Sequence, residues 1–373
     1  MTIGVIGGGI AGLSAALCLG RAGVDVQVFE RAPEIREAGA GVSIWPNATR
    51  LLRDWGLLDR CVTLATPLSA LEIRNRAGMV LLSTEMQGSD APTLCMRRPE
   101  LLSILESQVP AEAIHVQHAC TSVRDVGGQM EVTFAQRPPQ RFDAVIGADG
   151  WRSTVRKYVA GPASEPVARG YACWRGISPL ELPGLSLGKM GETWGPGRRF
   201  GILPIERGTI CWYATANQSM SIPEPSNPRA LFEGWPEPVG ALIRSTPPEA
   251  LIRTDAWDLP PLSRWCRKAA VLIGDAAHAI TPNLGQGSCL ALEDASVLSR
   301  LLGEHRSTEA TFEAFARLRK RRIERIVALS RWLGRVGQLE GGRIVQGRDR
   351  LVPLLGAPVF DRLVRRIHEW RDS

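Results

Sequence analysis

The sequence predicts an α/β protein, α+β overall. A parallel-sheet domain is interrupted by an antiparallel-sheet insertion and followed by helices. Three observations predict this. Residues 2–31 read as one complete β-α-β unit. Buried-strand segments running into glycine turns recur at "AVIGADG" (144–150) and "AAVLIGDAAH" (269–278). Between them, residues 166–265 are rich in Pro, Gly and Trp and hold strand-like pieces, "RFGILPI" and "GTICWYATAN", without helices between them.

In the opening unit, the apolar run Ile3–Ile6 is a short buried strand. Gly7, Gly9 and Gly12 follow in the order G-x-G-x-x-G. A helix comes next, with Leu13, Ala16, Leu17 and Leu19 on one face, and then a strand, Val24–Phe29, ending at Glu30. The first glycine permits the tight turn, the second lets backbone approach a pyrophosphate, and the third lets helix pack on strand. Free N–H groups and the helix dipole then favour phosphate. Glu30 is placed to accept from ribose hydroxyls and to repel a 2′-phosphate. NAD and FAD both satisfy this unit.

Two further motifs follow. "GADGWRSTVR" (147–156) carries Asp149 on a strand end, with Ser153 and Arg156 opening a helix. Asp149 also has a purely structural role open to it, as that helix's cap. "GDAAHAITPNLGQGSCLALEDA" (274–295) delivers Asp275 from a buried strand. An irregular stretch with Pro282, Gly285 and Gly287 leads to a helix near Ser288, a geometry that presents N–H donors to an electron-rich group. The pattern is helical from about Ser288 to Gln338. The expected division is 1–64, 97–165 and 266–340 as a discontinuous nucleotide domain, 65–96 and 166–265 as a substrate domain, and 341–373 as a C-terminal helical segment.

Composition narrows the class. The chain has 373 residues, a net charge of +7 and eight cysteines with no C-x-x-C. Scattered cysteines read as reduced, small apolar residues, and no metal site is expected. No apolar run approaches the ~20 residues of a membrane span. The expectation is a cytoplasmic protein, monomer or homodimer. The arginine-rich stretches "RLRKRRIERI" (317–326) and "RLVRRIHEWR" (362–371) alternate with apolar residues at helical spacing. They read as solvated helix faces rather than a nucleic-acid surface, with weak membrane association open.

With three motifs in this order, the sequence resembles the FAD-dependent single-component aromatic hydroxylases, the para-hydroxybenzoate hydroxylase-like flavoprotein monooxygenases. "GAGVSIWPNATRLL" and "GYACWRGI" are most similar to the branch with salicylate and urate hydroxylases and zeaxanthin epoxidases. The resemblance covers nearly the whole chain and implies a Rossmann-like FAD-binding domain. It implies that Gly7, Gly9 and Gly12 hold the pyrophosphate, Glu30 the adenosine ribose, and Asp275 the ribityl chain. Arg36 and Arg98 match arginines that contact FAD, and Asp149 matches an acid associated with FAD and NAD(P)H. Leu284, Gly285, Gln286 and Gly287 would face the flavin ring, with Pro282 near its reactive edge.

The implied activity is hydroxylation of an electron-rich aromatic or heteroaromatic ring through a flavin C4a-hydroperoxide, with O2 and NADH or NADPH as transient cosubstrates. Epoxidation of an alkene by the same chemistry is the alternative reaction, and a non-catalytic FAD-binding protein the alternative class. An aromatic substrate needs an apolar slot with a polar anchor. Candidate lining residues are Tyr171, Trp174, Trp194, Phe200, Trp212 and Tyr213. Neighbours on a strand face opposite ways, so Trp212 and Tyr213 cannot both line it. Arg199 is the candidate anchor for a carboxylate or enolate, with Arg175 a weaker one. Arg199, Pro282 and Gly285 are the expected catalytic positions. His278 reads as part of the flavin-binding frame rather than a base, and His115 and His118 as surface or core.

Overall fold

The computed structural model describes residues 1–35, 41–86, 89–179, 188–206, 209–218, 227–304 and 307–372. Four sheets organise them. The largest parallel layer has the strand order Cys266–Arg267, Ala270–Leu272, Ala144–Gly147, Thr2–Ile6, Asp25–Phe29, Ile114–His115. Thr2–Ile6 lies at its centre, parallel to both neighbours, with Val5 opposite Ile146 on one side and Val28 on the other. These strands are continuous apolar runs because helices cover the sheet. The helices Ile10–Arg21 and Gly287–Glu304 pack together and supply much of the core through Leu13, Leu17, Leu290 and Leu298.

The second large sheet is antiparallel apart from one pair. Its order is Ile252–Asp258, Val167–Ser178, Thr209–Asn217, Arg198–Glu206, Lys189–Gly195, Ala70–Asn75, Val80–Glu85. The α/β class with an antiparallel insertion is therefore the observed one. The segment 65–96, expected in the substrate domain, is divided between two sheets. Its middle, Ala70–Asn75 and Val80–Glu85, joins the large sheet through a parallel register with Lys189–Gly195. Its flanks, Thr66–Leu68 and Thr93–Arg97, pair instead beside Gly41–Ile44 in a three-stranded sheet. A second three-stranded sheet holds Cys120–Val126, Gln129–Phe134 and Arg137–Phe142.

Strand alternation sorts the large sheet into two faces. One carries Trp174, Phe200 and Trp212 into an apolar core with Leu231, Phe232, Trp235, Val239 and Leu242. The other carries Tyr171, Glu192, Trp194, Arg199, Tyr213 and Thr215, and meets the loop Pro282–Leu284 and Gln338. Two long helices, Thr308–Gly337 and Gly342–His368, close the chain.

Candidate active site

The glycine turn is built as its residues require. Gly7 has φ +109°, and a Cβ there would stand 2.3 Å from the Ala148 carbonyl oxygen. A Cβ on Gly12 would stand 1.9 Å from the Gly7 oxygen, so no other residue lets the helix seat on the strand. Gly9 is the extended residue that opens the helix Ile10–Arg21. Glu30 accepts from the Gly8 N–H at 2.8 Å and the Ala32 N–H at 2.9 Å, which locks its carboxylate over the turn. Arg98 begins the helix Arg98–Glu106. Arg36 lies outside the described residues.

Asp149 does cap its helix. Its carboxylate accepts from the Ser153 hydroxyl, from the Thr154 N–H at 2.6 Å and from the Val155 N–H at 3.2 Å. Burial raises its pKa, against the pull of those hydrogen bonds. Arg156, 1% exposed, ties this motif to the next by donating to the carbonyls of Trp151, Ser164 and Ala276. Asp275 is exposed at the start of the short helix Asp275–His278, just after Gly274 at φ +55°.

An ion cluster that sequence reasoning missed braces this second motif. Asp294 accepts from the Gly274 N–H at 2.8 Å, from His278 at 2.6 Å and from Arg319 at 2.7 Å. Glu293 pairs with Arg319 and Arg322, each at 2.7 Å. Burial works to raise the Asp294 pKa, but His278 and Arg319 outweigh it and hold it lowered. His278 is thereby a framework residue, stacked on Trp265. Arg319 and Arg322 correct the reading of 317–326 as a wholly solvated face. Arg319 is 1% exposed, because two buried carboxylates require buried cations.

The loop Pro282–Leu284 carries the next element. Gly285 is left-handed at φ +61°, and a Cβ on it would come within 2.6 Å of the Ser43 hydroxyl and 2.9 Å of Trp45 Nε1. That indole N–H is buried with no hydrogen-bond partner among the described residues. Gln286, also buried, accepts from Asn47 at 3.0 Å, and Gly287 begins the next helix. A close backbone approach beside an unsatisfied donor fits a planar, acceptor-rich ring, and the Gly7–Gly12 turn fits its diphosphate. The residues present fit FAD.

The inner sheet face supplies the rest. Arg199, 2% exposed, donates to Gln338 at 2.9 Å and to Asn283 at 2.6 Å, and lies 3.3 Å from Glu192 Oε1. Its charge sits over the Tyr171 ring. Asn283 in turn donates to Thr281 and the Ser330 carbonyl and reaches Tyr171 at 3.4 Å. Tyr213 is hydrogen-bonded to Glu192, and its pKa is raised well above the usual value by burial and by that carboxylate. Burial works against the Arg199 charge, and Glu192 with the two tyrosines more than restores it. Tyr213 also packs on an apolar wall of Leu68, Cys95, Leu203, Ile205 and Cys211.

Three expected lining residues are corrected. Trp174, Phe200 and Trp212 sit on the opposite face, where Phe200 stacks on Trp212 at 5.2 Å and the Trp212 N–H reaches Thr246 at 2.7 Å. The pleat sends them outward once Arg199 and Tyr213 point inward. Trp194 is on the inner face but lies under the Arg348 guanidinium. Arg175 reaches Thr254 at 3.1 Å, toward the sheet edge. Glu192 and Asn283 were not anticipated. Glu192 is two residues from Trp194, and Asn283 lies between Pro282 and Leu284, three residues that were.

Comparison with known proteins agrees with this geometry. A family model for an FAD binding domain matches residues 1–330. The chain is 36% identical to the 2-heptyl-3-hydroxy-4(1H)-quinolone synthase of Pseudomonas aeruginosa, over 99% of this chain and 97% of that one. It is 33% identical to the aurachin C monooxygenase/isomerase of Stigmatella aurantiaca, over 98% and 97%. Its fold matches that of Klebsiella pneumoniae HpxO complexed with FAD and uric acid at a TM-score of 0.89, with 25% identity over 99% of this chain and 96% of that one.

Proposed function

Because the chain belongs to the FAD-dependent aromatic hydroxylases and is an FAD-dependent monooxygenase, we propose that it uses O2 and NADH or NADPH to hydroxylate a 4(1H)-quinolone bearing an apolar side chain. The cofactor would be held by Gly7, Gly9, Gly12, Glu30, Arg98, Asp149, Asp275 and the backbone of 284–287. When bound, FAD supplies hydride acceptance and the activation of dioxygen.

The observation that carries the substrate reading is the Glu192 carboxylate. Its Oε1 is buried and, although the Arg199 guanidinium stands 3.3 Å away, receives no hydrogen bond among the described residues. Such an oxygen favours a donor from a ligand. The ring N–H of a 4(1H)-quinolone is that donor, conjugated through the ring to the carbon that takes oxygen. As Glu192 draws this proton, electron density rises at that carbon and favours attack on an electrophilic oxygen. Arg199 compensates the carboxylate charge and, through Asn283, fixes the loop at Pro282. Tyr213 orients Glu192 from the side of the apolar wall, and that wall takes the hydrocarbon substituent. The quinolone named for the Pseudomonas relative supports the same class.

The test is NADH and NADPH oxidation by FAD-loaded protein over a panel of 2-alkyl-4(1H)-quinolones, purines, phenols and polyenes, with product masses. A quinolone should stimulate flavin reduction and gain one oxygen. Turnover of a purine or phenol alone overturns the substrate reading, and an epoxide product overturns hydroxylation. Failure of both nicotinamides to bleach the flavin overturns the electron donor.

A further inference from the structure

The charge excess of the chain is confined to its end. Residues 308–372 hold fifteen Lys and Arg against eight Asp and Glu, an excess equal to the +7 of the whole protein. Much of it is exposed. On the helix Thr308–Gly337, Arg317, Arg321, Arg325, Trp332 and Arg335 form an outward stripe at helical spacing, with Trp332 53% exposed. On the helix Gly342–His368, Ile344, Leu351, Leu354 and Val359 are 58, 56, 76 and 54% exposed. Arg343, Arg350, Arg362, Arg365 and Arg366 are exposed on the same helix. Of these arginines only Arg317 has a carboxylate partner among the described residues, Glu313 at 3.8 Å. A cleft of about 430 Å³ opens between the two helices, floored by Leu318, Ile326, Leu329, Leu363 and Trp370, with Arg325 and Arg366 among its walls.

We propose that the exposed face of the helix Gly342–His368 docks on an anionic lipid bilayer, with its aliphatic residues entering the interface and its arginines meeting lipid phosphates. Four large aliphatic side chains held in water among guanidiniums that have no carboxylate partner among the described residues match the two layers of a bilayer surface. A nucleic acid would use the arginines but give no partner to Leu351 or Leu354. A second copy of the chain would set like charges against each other. No helix among the described residues is long and apolar enough to cross a membrane, so the contact is interfacial. It stands on these residues independently of the substrate reading, although a ring with a hydrocarbon tail would be drawn from such a surface.

Full-length, FAD-loaded protein should float with vesicles of phosphatidylcholine containing phosphatidylglycerol, not with phosphatidylcholine alone, and be released by salt. Neutralising Arg350 and Arg362 together (Arg350→Gln, Arg362→Gln) should weaken binding about fivefold for each charge. The triple change Ile344→Ser, Leu351→Ser, Leu354→Ser should abolish flotation while flavin content and melting temperature stay at the parent values. Equal binding to both vesicle types, or to neither, overturns the proposal. So does duplex DNA binding that the aliphatic triple leaves intact, or a dimer in solution that the triple dissociates.

Discussion

On one face of the seven-stranded sheet, Trp174, Phe200 and Trp212 meet apolar side chains from Leu231 to Ile243. On the other, Tyr171, Glu192, Arg199 and Tyr213 meet one another and the loop that follows Pro282. The same strands build both. The difference teaches where aromatic residues in a sheet do their work. Three of the large rings pack the insertion on one side, while Arg199 beside Phe200 and Tyr213 beside Trp212 turn to the other, where Glu192 joins them from the neighbouring strand.

The sharpest break of this contrast is Arg199→Gln. It leaves Glu192 buried without its compensating charge, an imbalance worth about 3–5 kcal/mol. Urea unfolding should show that loss together with a collapse in kcat, and adding Glu192→Gln should recover much of the stability but none of the rate. On the outer face, Trp212→Ala removes a fully buried indole and should cost a similar 3–5 kcal/mol. Its signature is the reverse, with kcat/KM per bound flavin unchanged. If Trp212→Ala altered substrate selectivity, the assignment of the two faces would be wrong.

Glu192→Gln alone keeps shape and removes the proton acceptor. It should lower kcat by about a hundredfold with flavin content and KM near the parent values. A raised KM with unchanged kcat would make Glu192 a binding contact only.

How much of this could be read beforehand depends on the range over which each residue is constrained. Gly7, Gly12 and Gly285 are legible because their own backbone or a Cβ clash dictates glycine. The order of the three motifs follows from local strand-to-helix turns. Glu192 carries no such mark, since "KMGETWG" is an ordinary strand, and only its register against Gly201 brings it beside Tyr213. The pairing of Glu293 and Asp294 with Arg319 likewise joins residues on two successive helices, across the loop between them, and no local rule separates Arg319 from the exposed Arg317 and Arg321. The aromatic residues misled because their abundance signals burial without saying on which side.

A weaker probe reaches the flavin-loop end of the inner side. His368, on the last helix, stacks on Trp45 at 4.6 Å, the same indole that stands beside Gly285. Burial, with Arg50 and Arg322 nearby, drives its pKa down to about 3. The folded protein thus prefers the neutral ring while the unfolded chain takes up a proton near pH 6.5. The stability from this group is complete above that pH and declines as the pH falls toward 3, at up to about 1.4 kcal/mol per unit. Unfolding at pH 6.5 and at pH 5 should differ by about 1.5 kcal/mol less in His368→Phe than in the parent.

The smallest effect is the most discriminating. Tyr213→Phe keeps the ring packed on Gly201 and against the apolar wall, and removes only the hydroxyl that meets Glu192. One hydrogen bond of this kind is worth about 1 kcal/mol, so kcat/KM should fall about fivefold. The raised pKa keeps this hydroxyl protonated through the alkaline range, so the parent should show no loss of rate attributable to its ionisation. If Tyr213 instead served as the base, the loss would be far greater than fivefold and would carry its own alkaline limb. A small, pH-independent loss ties Tyr213 to the orientation of Glu192, and it leaves the carboxylate as the group that separates the working face of this sheet from its structural one.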